Sequence, residues 1–244
     1  ASKENHAIEG ADFSFATLAA RTRVGNYTQI FVKPVEVTET ERTVNVAGMD
    51  DEFNYQVEKA MKEIARDVES AIVNGTANAG TSAAARRMKG ILAFIETNIN
   101  TGLSGGTSTT ADEALTETHY NDLLQDIYDA GGNPDVTHVN GWQKRKIDSF
   151  STNNTRYQDG SDGRLSNYVG VYQSSFGIQK IVLNRYMPTD QLMALEQAKW
   201  KLGILRPISY TDVSKVADAK RGALVGELTL KGLNEAASGK IEDL

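Results

Sequence analysis

The chain has 244 residues, of which 40% are hydrophobic and 24% are charged, as in ordinary soluble globular proteins. Its formal net charge of −6 and its pI near 5.2 argue against tight nucleic-acid binding, which depends on clustered Lys and Arg. The absence of cysteine excludes disulfides, thiol nucleophiles and thiolate metal sites. No apolar run approaches the roughly 18 residues of a membrane span, and no signal-peptide pattern is present. These features predict a soluble, cytoplasmic protein.

The N-terminal part predicts an extended arm followed by a β-strand. Residues 1–25 are polar and Ala-rich without periodicity. The stretch from Thr28 to Thr38 is rich in β-formers, and its apolar side chains fall on both faces, so the strand needs cover on both sides. One face carries Ile30 and Val32, and the other carries Phe31, Val35 and Val37.

Proline and a second short strand complete a predicted two-stranded ribbon. Pro34 restricts the first strand to a sheet edge or a bulge, because proline has no N–H to donate. The connection is Thr-Glu-Thr-Glu, after which Val44 and Val46 alternate with polar residues. An exposed edge of this composition aggregates unless another strand pairs with it.

A long amphipathic helix is predicted from Asp50 to Asn74. Acidic residues begin the helix, where the helix dipole favours anions, and Gly75 is placed to cap its C-terminus. Its length is about 37 Å, which makes it a spine for the fold. Its apolar residues recur every three or four positions: Phe53, Val57, Met61 beside Ala60, Ile64, Val68, and Ile72 beside Ala71.

The remainder predicts an α/β region. Thr116 caps a helix that Gly131-Gly132 ends, and a second helix is expected at Gly141–Phe150. A polar loop covers Ser151 to Arg164. Strands are predicted at Asp135–Asn140, Tyr168–Tyr172, Ile178–Leu183, Gln191–Leu195, Trp200–Leu205 and Ala223–Leu230.

No catalytic residue, cofactor or metal site is predicted. The histidines His6, His119 and His138 have no helical metal-ligand spacing. The acidic pairs Asp50-Asp51 and Asp112-Glu113 lie at helix entries, where capping explains them. The loop GLSGGTSTT lacks the Gly-Lys-Ser/Thr ending of a phosphate-binding loop.

Two basic clusters have functional and structural interpretations. Lys144-Arg145-Lys146, close to Trp142, is either a nucleic-acid contact or a solvated helix face, and the solvated face is favoured. The second cluster, Arg86-Arg87 with Lys89, either binds an acidic neighbour or keeps its Ala/Gly-rich loop soluble.

Several strings, in order along the chain, resemble the major capsid (coat) protein of tailed bacteriophages. They are NYTQIF, DDEFNYQVEKAMKEIARDVE, GGNPD with VNGWQKRKI, NRYMP and LNEAASGKI. The resemblance extends from about Val24 to the C-terminus. The family pattern also includes an N-terminal arm and the outgoing limb of the extended loop before about Ile8, and these segments are absent from this sequence.

The resemblance implies an α+β protein with the Hong-Kong-type phage capsid fold. Residues 1–47 would form the N-terminal arm remnant and the extended β loop. Residues 48–112 and 206–244 would form a peripheral domain with the spine helix, and residues 113–205 would form an α/β axial domain.

The same resemblance implies a structural role in the virion and no enzyme activity. Copies would assemble in the host cytoplasm as hexamers and pentamers of an icosahedral shell around double-stranded DNA, bound without sequence specificity. Further partners would be portal, scaffolding or decoration proteins, and no membrane is involved. The ribbon would lie across a neighbouring subunit, with its self-assembly contacts at Tyr27, Ile30, Phe31, Val35 and Val37.

Two other functions fit the sequence less well. One is the shell protein of a bacterial nanocompartment (encapsulin-like), which encloses protein cargo in place of DNA. The other is a soluble α/β enzyme with the loop from Ser151 to Arg164 as a lid.

Overall fold

The computed structural model describes residues 9–10, 12, 24–44, 51–101, 114–150, 170–215 and 217–244. The helices in these ranges are α1 (Glu39–Thr43), α2 (Glu52–Asn74), α3 (Ile91–Phe94), α4 (Glu117–Asp129) and α5 (Gly141–Ser149). The strands are β1 (Gln29–Thr38), β2 (Ile99–Thr101), β3 (Val136–Val139), β4 (Val171–Ser174), β5 (Gly177–Leu183), β6 (Leu192–Leu195), β7 (Trp200–Val213), β8 (Ala219–Gly232) and β9 (Gly239–Glu242). None of the described helices is both long and apolar enough to span a membrane.

Two sheets organise the described residues around two adjoining cores. The first sheet is antiparallel with the strand order β1-β8-β7, and the second has the order β2-β9-β6-β3-β5-β4. Strand β6 belongs to both cores, because successive side chains of a strand point to opposite faces. Met193 and Leu195 enter the core beneath the three-stranded sheet, while Leu192 and Ala194 enter the core beneath α4. This strand therefore connects the two packed regions.

Helix α2 confirms the predicted spine, with one correction to its buried stripe. Asp51 caps the helix, and its Oδ1 accepts a hydrogen bond from the Phe53 N–H at 3.0 Å. Ala60 and Ile64 are buried against the three-stranded sheet, whereas Met61 is 50% exposed. The expectation for Met61 was wrong because the buried face is centred on Ala60, one position earlier.

Strand β1 is an edge strand, as Pro34 predicted, but the two-stranded ribbon was wrong. Its partner is β8, in antiparallel register from Gln29 opposite Leu228 to Thr38 opposite Ala219. The following Glu39–Thr43 is a short helix, because the Thr38 hydroxyl accepts a hydrogen bond from the Glu41 N–H and caps it. The predicted second strand is not present at Val44, and Val46 lies outside the described residues.

In the α/β region the structure confirms the predicted helices and most of the predicted strands. The Thr116 hydroxyl caps α4, and Gly131 follows the helix with a φ of +85°, a conformation that favours glycine. Strand β7 spans the predicted boundary at 205/206, although its pairing with β8 is irregular there, and β9 belongs to the six-stranded sheet. Residues 239–242 therefore pack with the α/β region and not with the spine helix. The polar loop 151–164 lies outside the described residues.

Gly75 and Gly90 bring the end of α2 and the start of α3 into backbone contact. The Gly90 N–H donates to the Gly75 carbonyl oxygen at 2.7 Å. A Cβ at Gly90 would meet the Gly75 nitrogen and lie 2.9 Å from the Val73 carbonyl oxygen. These neighbours are backbone atoms, so neither chain segment can move aside cheaply.

We expect Gly90→Ala to destabilise the subunit by about 1–3 kcal/mol, because the added methyl group forces the two segments apart. The control is Gly141→Ala, where a Cβ has no atom within 4 Å. That change should leave stability the same or slightly higher, since Ala favours helix. Urea unfolding followed by circular dichroism measures both, and equal midpoints for the two variants would refute the close approach.

Candidate assembly surface

The histidine and acidic residues that the sequence offered as candidates lie on different elements where the structure describes them. In the part of the chain that the structure describes, no group of three or more His, Asp or Glu residues is placed so that it could hold a metal ion. His119 is buried in the first turn of α4, and His138 lies in β3, where burial lowers the pKa of its imidazole. Asp51 is engaged in capping α2. Asp50, the pair Asp112-Glu113 and the loop GLSGGTSTT lie outside the described residues.

Glu227 of β8 is the buried centre of an ion-pair cluster with two exposed arginines, which the sequence did not reveal. Its carboxylate accepts hydrogen bonds from the Thr28 hydroxyl at 2.6 Å and the Arg86 guanidinium at 2.6 Å. Arg206 of β7 lies 3.1 Å from the other carboxylate oxygen. The Thr28 hydrogen bond and the two arginines hold the pKa of Glu227 below its usual range. The cluster fastens β7 and the loop after α2 to the start of β1.

The inner face of β1 belongs to the core of its own subunit. Phe31, Val35 and Val37 are buried and pack in one cluster with Ile64 of α2 and Leu224 of β8. The expectation that these three side chains contact a neighbouring subunit was therefore wrong. The physical reason is that β1 pairs with the distant strand β8 and that α2 packs across the inner face of both strands.

The opposite side of the three-stranded sheet is an exposed apolar surface, here called the outer face. It consists of Ile30, Val32 and Pro34 of β1 with Val225 and Ala223 of β8, which lie directly opposite Val32 and Pro34, while Glu227 lies opposite Ile30. Directly opposite residues of an antiparallel pair share one face. Ile30 is 49% exposed and Val32 is 53% exposed.

Charged groups enclose the outer face at both ends. The Glu227 cluster lies beside Ile30, and Glu36 forms an ion pair with Arg221 at 2.7 Å at the other end. Tyr27, 45% exposed, precedes β1 and is held by the Thr229 hydroxyl, which donates to its carbonyl oxygen at 2.8 Å. An apolar centre with a charged rim is the usual composition of a protein interface.

Strand β7 gives the three-stranded sheet a long open edge. One of its edges bonds to β8, and the other bonds to no strand among the described residues. Six large apolar side chains of β7 are exposed: Leu202, Ile204, Leu205, Ile208, Tyr210 and Val213. An open apolar edge of 14 residues promotes association with another chain.

The basic cluster on α5 is not the uniform solvated face that the sequence favoured. Lys144 is 7% exposed and forms an ion pair with Asp148 at 2.5 Å. Arg145 is exposed, Lys146 is half-buried, and their cations lie 5.9 and 5.6 Å from the ring of the exposed Trp142. The cluster therefore divides into one structural lysine and a surface group of two cations with an indole.

Comparison with known proteins shows the family to which this chain belongs. The sequence model of the SU10 major capsid protein family matches residues 1–244. The chain belongs to this family. It is also similar to the major capsid protein of Escherichia phage Phieco32, with 25% identity over 289 residues that cover 96% of this chain and 80% of the relative.

Solved structures show the same fold for this capsid protein. The cyanophage A-1(L) capsid asymmetric unit superposes with a TM-score of 0.66 at 16% identity, covering 88% of this chain and 77% of that one. The holo-SrpI encapsulin complex of Synechococcus elongatus PCC 7942 superposes with a TM-score of 0.60 at 10% identity, covering 89% and 74%. At such low identity the superpositions establish the fold alone.

These findings confirm the resemblance to phage major capsid proteins and the α+β capsid fold. The protein is a major capsid protein of a phage and a structural component of the viral capsid. Its family has a structural role rather than an enzymatic one. The surfaces that remain uncovered on the single subunit are therefore candidates for contacts within a shell.

Proposed function

We propose that this capsid protein assembles in the host cytoplasm as hexamers and pentamers that close an icosahedral shell around double-stranded DNA. In this proposal a neighbouring copy covers the outer face and contacts Tyr27 and Ile30, together with Val32. The observation that carries it is the set of exposed apolar side chains on the outer face of β1 and along the open edge of β7. Surfaces of this kind mark protein interfaces.

Weak contacts at this surface are sufficient to hold a shell together, because every subunit repeats them. Each subunit of a shell contributes the same contact, so a small gain per copy is multiplied over the assembly. The closed shell also covers strand edges that would otherwise aggregate. Both effects favour a subunit whose apolar surface is left for its neighbours.

The charge of the protein supports DNA held without sequence-specific contacts. A net charge of −6 gives a shell that does not bind DNA tightly, which would impede both packing and release. We assign the spine-helix region to a peripheral domain and the six-stranded region to an axial domain around the ring centre. Portal, scaffolding or decoration proteins are further partners in this proposal.

A nanocompartment shell is the alternative, favoured by the encapsulin superposition at a TM-score of 0.60. Negative-stain microscopy of the purified chain tests for closed particles, and the absorbance ratio at 260 and 280 nm with nuclease protection tests their content. Particles from phage-infected cells should contain protected double-stranded DNA. Particles that hold only cellular protein would support the nanocompartment, and a monomeric chain would contradict both.

We expect the double substitution Ile30→Thr and Val32→Thr to reduce particle yield at least about tenfold while leaving folding intact. Threonine keeps the β-branched shape but removes apolar area from the outer face. The matched control is Phe31→Ala on the inner face, which should lower the melting temperature of the subunit itself. Normal particles from the double variant, measured by sedimentation, would show that the outer face is not an assembly contact.

A further inference from the structure

The open edge of β7 presents backbone hydrogen-bonding groups as well as apolar side chains. Successive residues of β8 bond alternately to β1 and to β7. On the β1 side the Glu39 N–H donates to the Asp218 carbonyl oxygen, and on the β7 side the Leu233 N–H donates to that of Lys199. These two bonds fix the alternation along both ladders. Five residues of β7 therefore direct their N–H and C=O groups away from β8: Trp200, Leu202, Ile204, Tyr210 and Asp212.

A break in the pairing divides this edge into two regular halves. The register between β7 and β8 shifts twice between Ile204 and Ser209, and Pro207 lies inside this break. The regular halves are residues 200–204 and 209–213. A regular strand can pair with only one half, because a bulge bends the edge and interrupts its ladder. A strand that pairs along the whole edge needs a matching break in its own middle.

We propose that β7 pairs antiparallel with β7 of a second copy across a twofold axis. This inference rests on the proposed assembly into a shell. In such a pair the first half of each strand lies beside the second half of the other, and the two breaks face each other at the axis. Among the described edge strands, β7 alone has a break of this kind, so a second β7 is the partner that matches it.

The outward-facing residues define the register of the pair. With Pro207 on the axis, Ile204 lies opposite Tyr210 of the second copy, and Leu202 lies opposite Asp212 of the second copy. All four residues face outward, so each opposite pair exchanges two hydrogen bonds, and symmetry brings the total to about eight. Ile204 is 61% exposed on the single subunit, and an aromatic residue opposite a β-branched one is a favourable cross-strand pair.

The two neighbouring registers are less favourable. An axis at Arg206 makes the guanidinium groups of the two copies face each other, and like charges directly opposite destabilise a strand pair. An axis at Ile208 leaves one outward-facing pair in each half, Ile204 with Asp212. With the axis at Pro207, the N–H that proline lacks falls in the break, where the ladder is already interrupted.

The symmetry of this contact places it between rings and not within one. Adjacent subunits of a ring of five or six meet head to tail through two different surfaces, whereas β7 with β7 uses one surface twice. The pairing therefore joins a subunit of one hexamer or pentamer to a subunit of the next. It is separate from the outer face, whose residues lie on β1 and β8.

Disulfide cross-linking tests the pairing, because the chain has no cysteine of its own. The register places Lys201 opposite Val213 of the second copy in a pair without mutual hydrogen bonds, whose Cα separation of about 4.5 Å suits a disulfide. Within one chain the two positions lie at opposite ends of β7, roughly 35 Å apart, and cannot be linked. Shells assembled from a mixture of Lys201→Cys and Val213→Cys chains should yield disulfide dimers on a non-reducing gel, and shells of either variant alone should not.

A second mixture controls for the register. Lys201→Cys chains mixed with Thr211→Cys chains should yield at least about fivefold less dimer, because position 211 lies two residues from the opposite one. Intact shells without dimers from the first mixture would refute the pairing. More dimer from the second mixture than from the first would refute the register.

Two substitutions at Leu202 provide a matched test by charge. Leu202→Glu places a carboxylate opposite Asp212 of the second copy, whereas Leu202→Lys places a cation there, and both remove the same apolar contact. The yield of closed shells, measured by sedimentation, should be at least about threefold lower for Leu202→Glu, because each twofold contact contains the pair twice and the shell repeats it. Equal yields from the two variants would contradict the register. Wild-type chain that forms no shell would refute the proposed function and this pairing with it, whereas intact shells without the cross-link would refute the pairing alone.

Discussion

Deletion of residues 1–46 is expected to prevent the subunit from folding, and not merely from assembling. The deletion removes β1 and with it Phe31, Val35 and Val37 from the core. Burial of three such side chains contributes about 5–9 kcal/mol, which is comparable to the total stability of about 5–15 kcal/mol of a typical domain. It also exposes Leu224 and Leu228 of β8, which β1 helps to cover.

A shorter deletion separates folding from assembly. Removal of residues 1–23 retains β1 and Asn26, whose side chain donates to the carbonyl oxygens of Lys89 and Leu230. We expect this product to melt cooperatively, whereas the longer deletion should lack a cooperative transition. Circular dichroism with thermal melting measures both. A cooperative, native-like melt of the longer deletion would mean that β1 is not part of the subunit core.

Local signals in the sequence predicted the helices well. Helices α2, α4 and α5 begin within about two residues of their predicted positions because the caps Asp51, Thr116 and Asn140 act on their own first turns. A cap and a periodic apolar stripe involve residues only a few positions apart. Such information is complete within a short stretch of sequence.

Strand pairing was the part that local patterns could not predict. Alternation correctly placed Ile30 and Phe31 on opposite faces of β1, but it carries no information about which strand lies beside them. The actual partner is β8, and the connection at Thr38 to Glu41 looked like a hairpin although Thr38 caps a helix. The short strands β2 and β9 were missed because three or four residues show too little alternation.

The same limit applies to the candidate surfaces. Glu227, Arg86 and Arg206 lie far apart in the sequence, so only the folded sheet brings them together. Burial of Lys144 was accessible from the sequence, since Asp148 follows four residues later and Ile147 lies on the same side of the helix. The cluster Lys144-Arg145-Lys146 was treated as one unit because its residues are adjacent, although adjacent helical residues point in different directions.

Ile64→Ala in the middle of the spine helix is expected to cost about 2–5 kcal/mol of unfolding free energy, because it leaves a cavity beneath β1. Ile64 is 3% exposed and packs in the core with Phe31 and Leu224. The matched control is Met61→Ala three residues earlier, which removes an exposed side chain and should change stability by less than about 0.5 kcal/mol. Urea denaturation of the unassembled subunit measures both changes. Since both variants keep a good helix former, a difference between them reports burial alone, and equal losses would mean that the sheet does not cover α2 at Ile64.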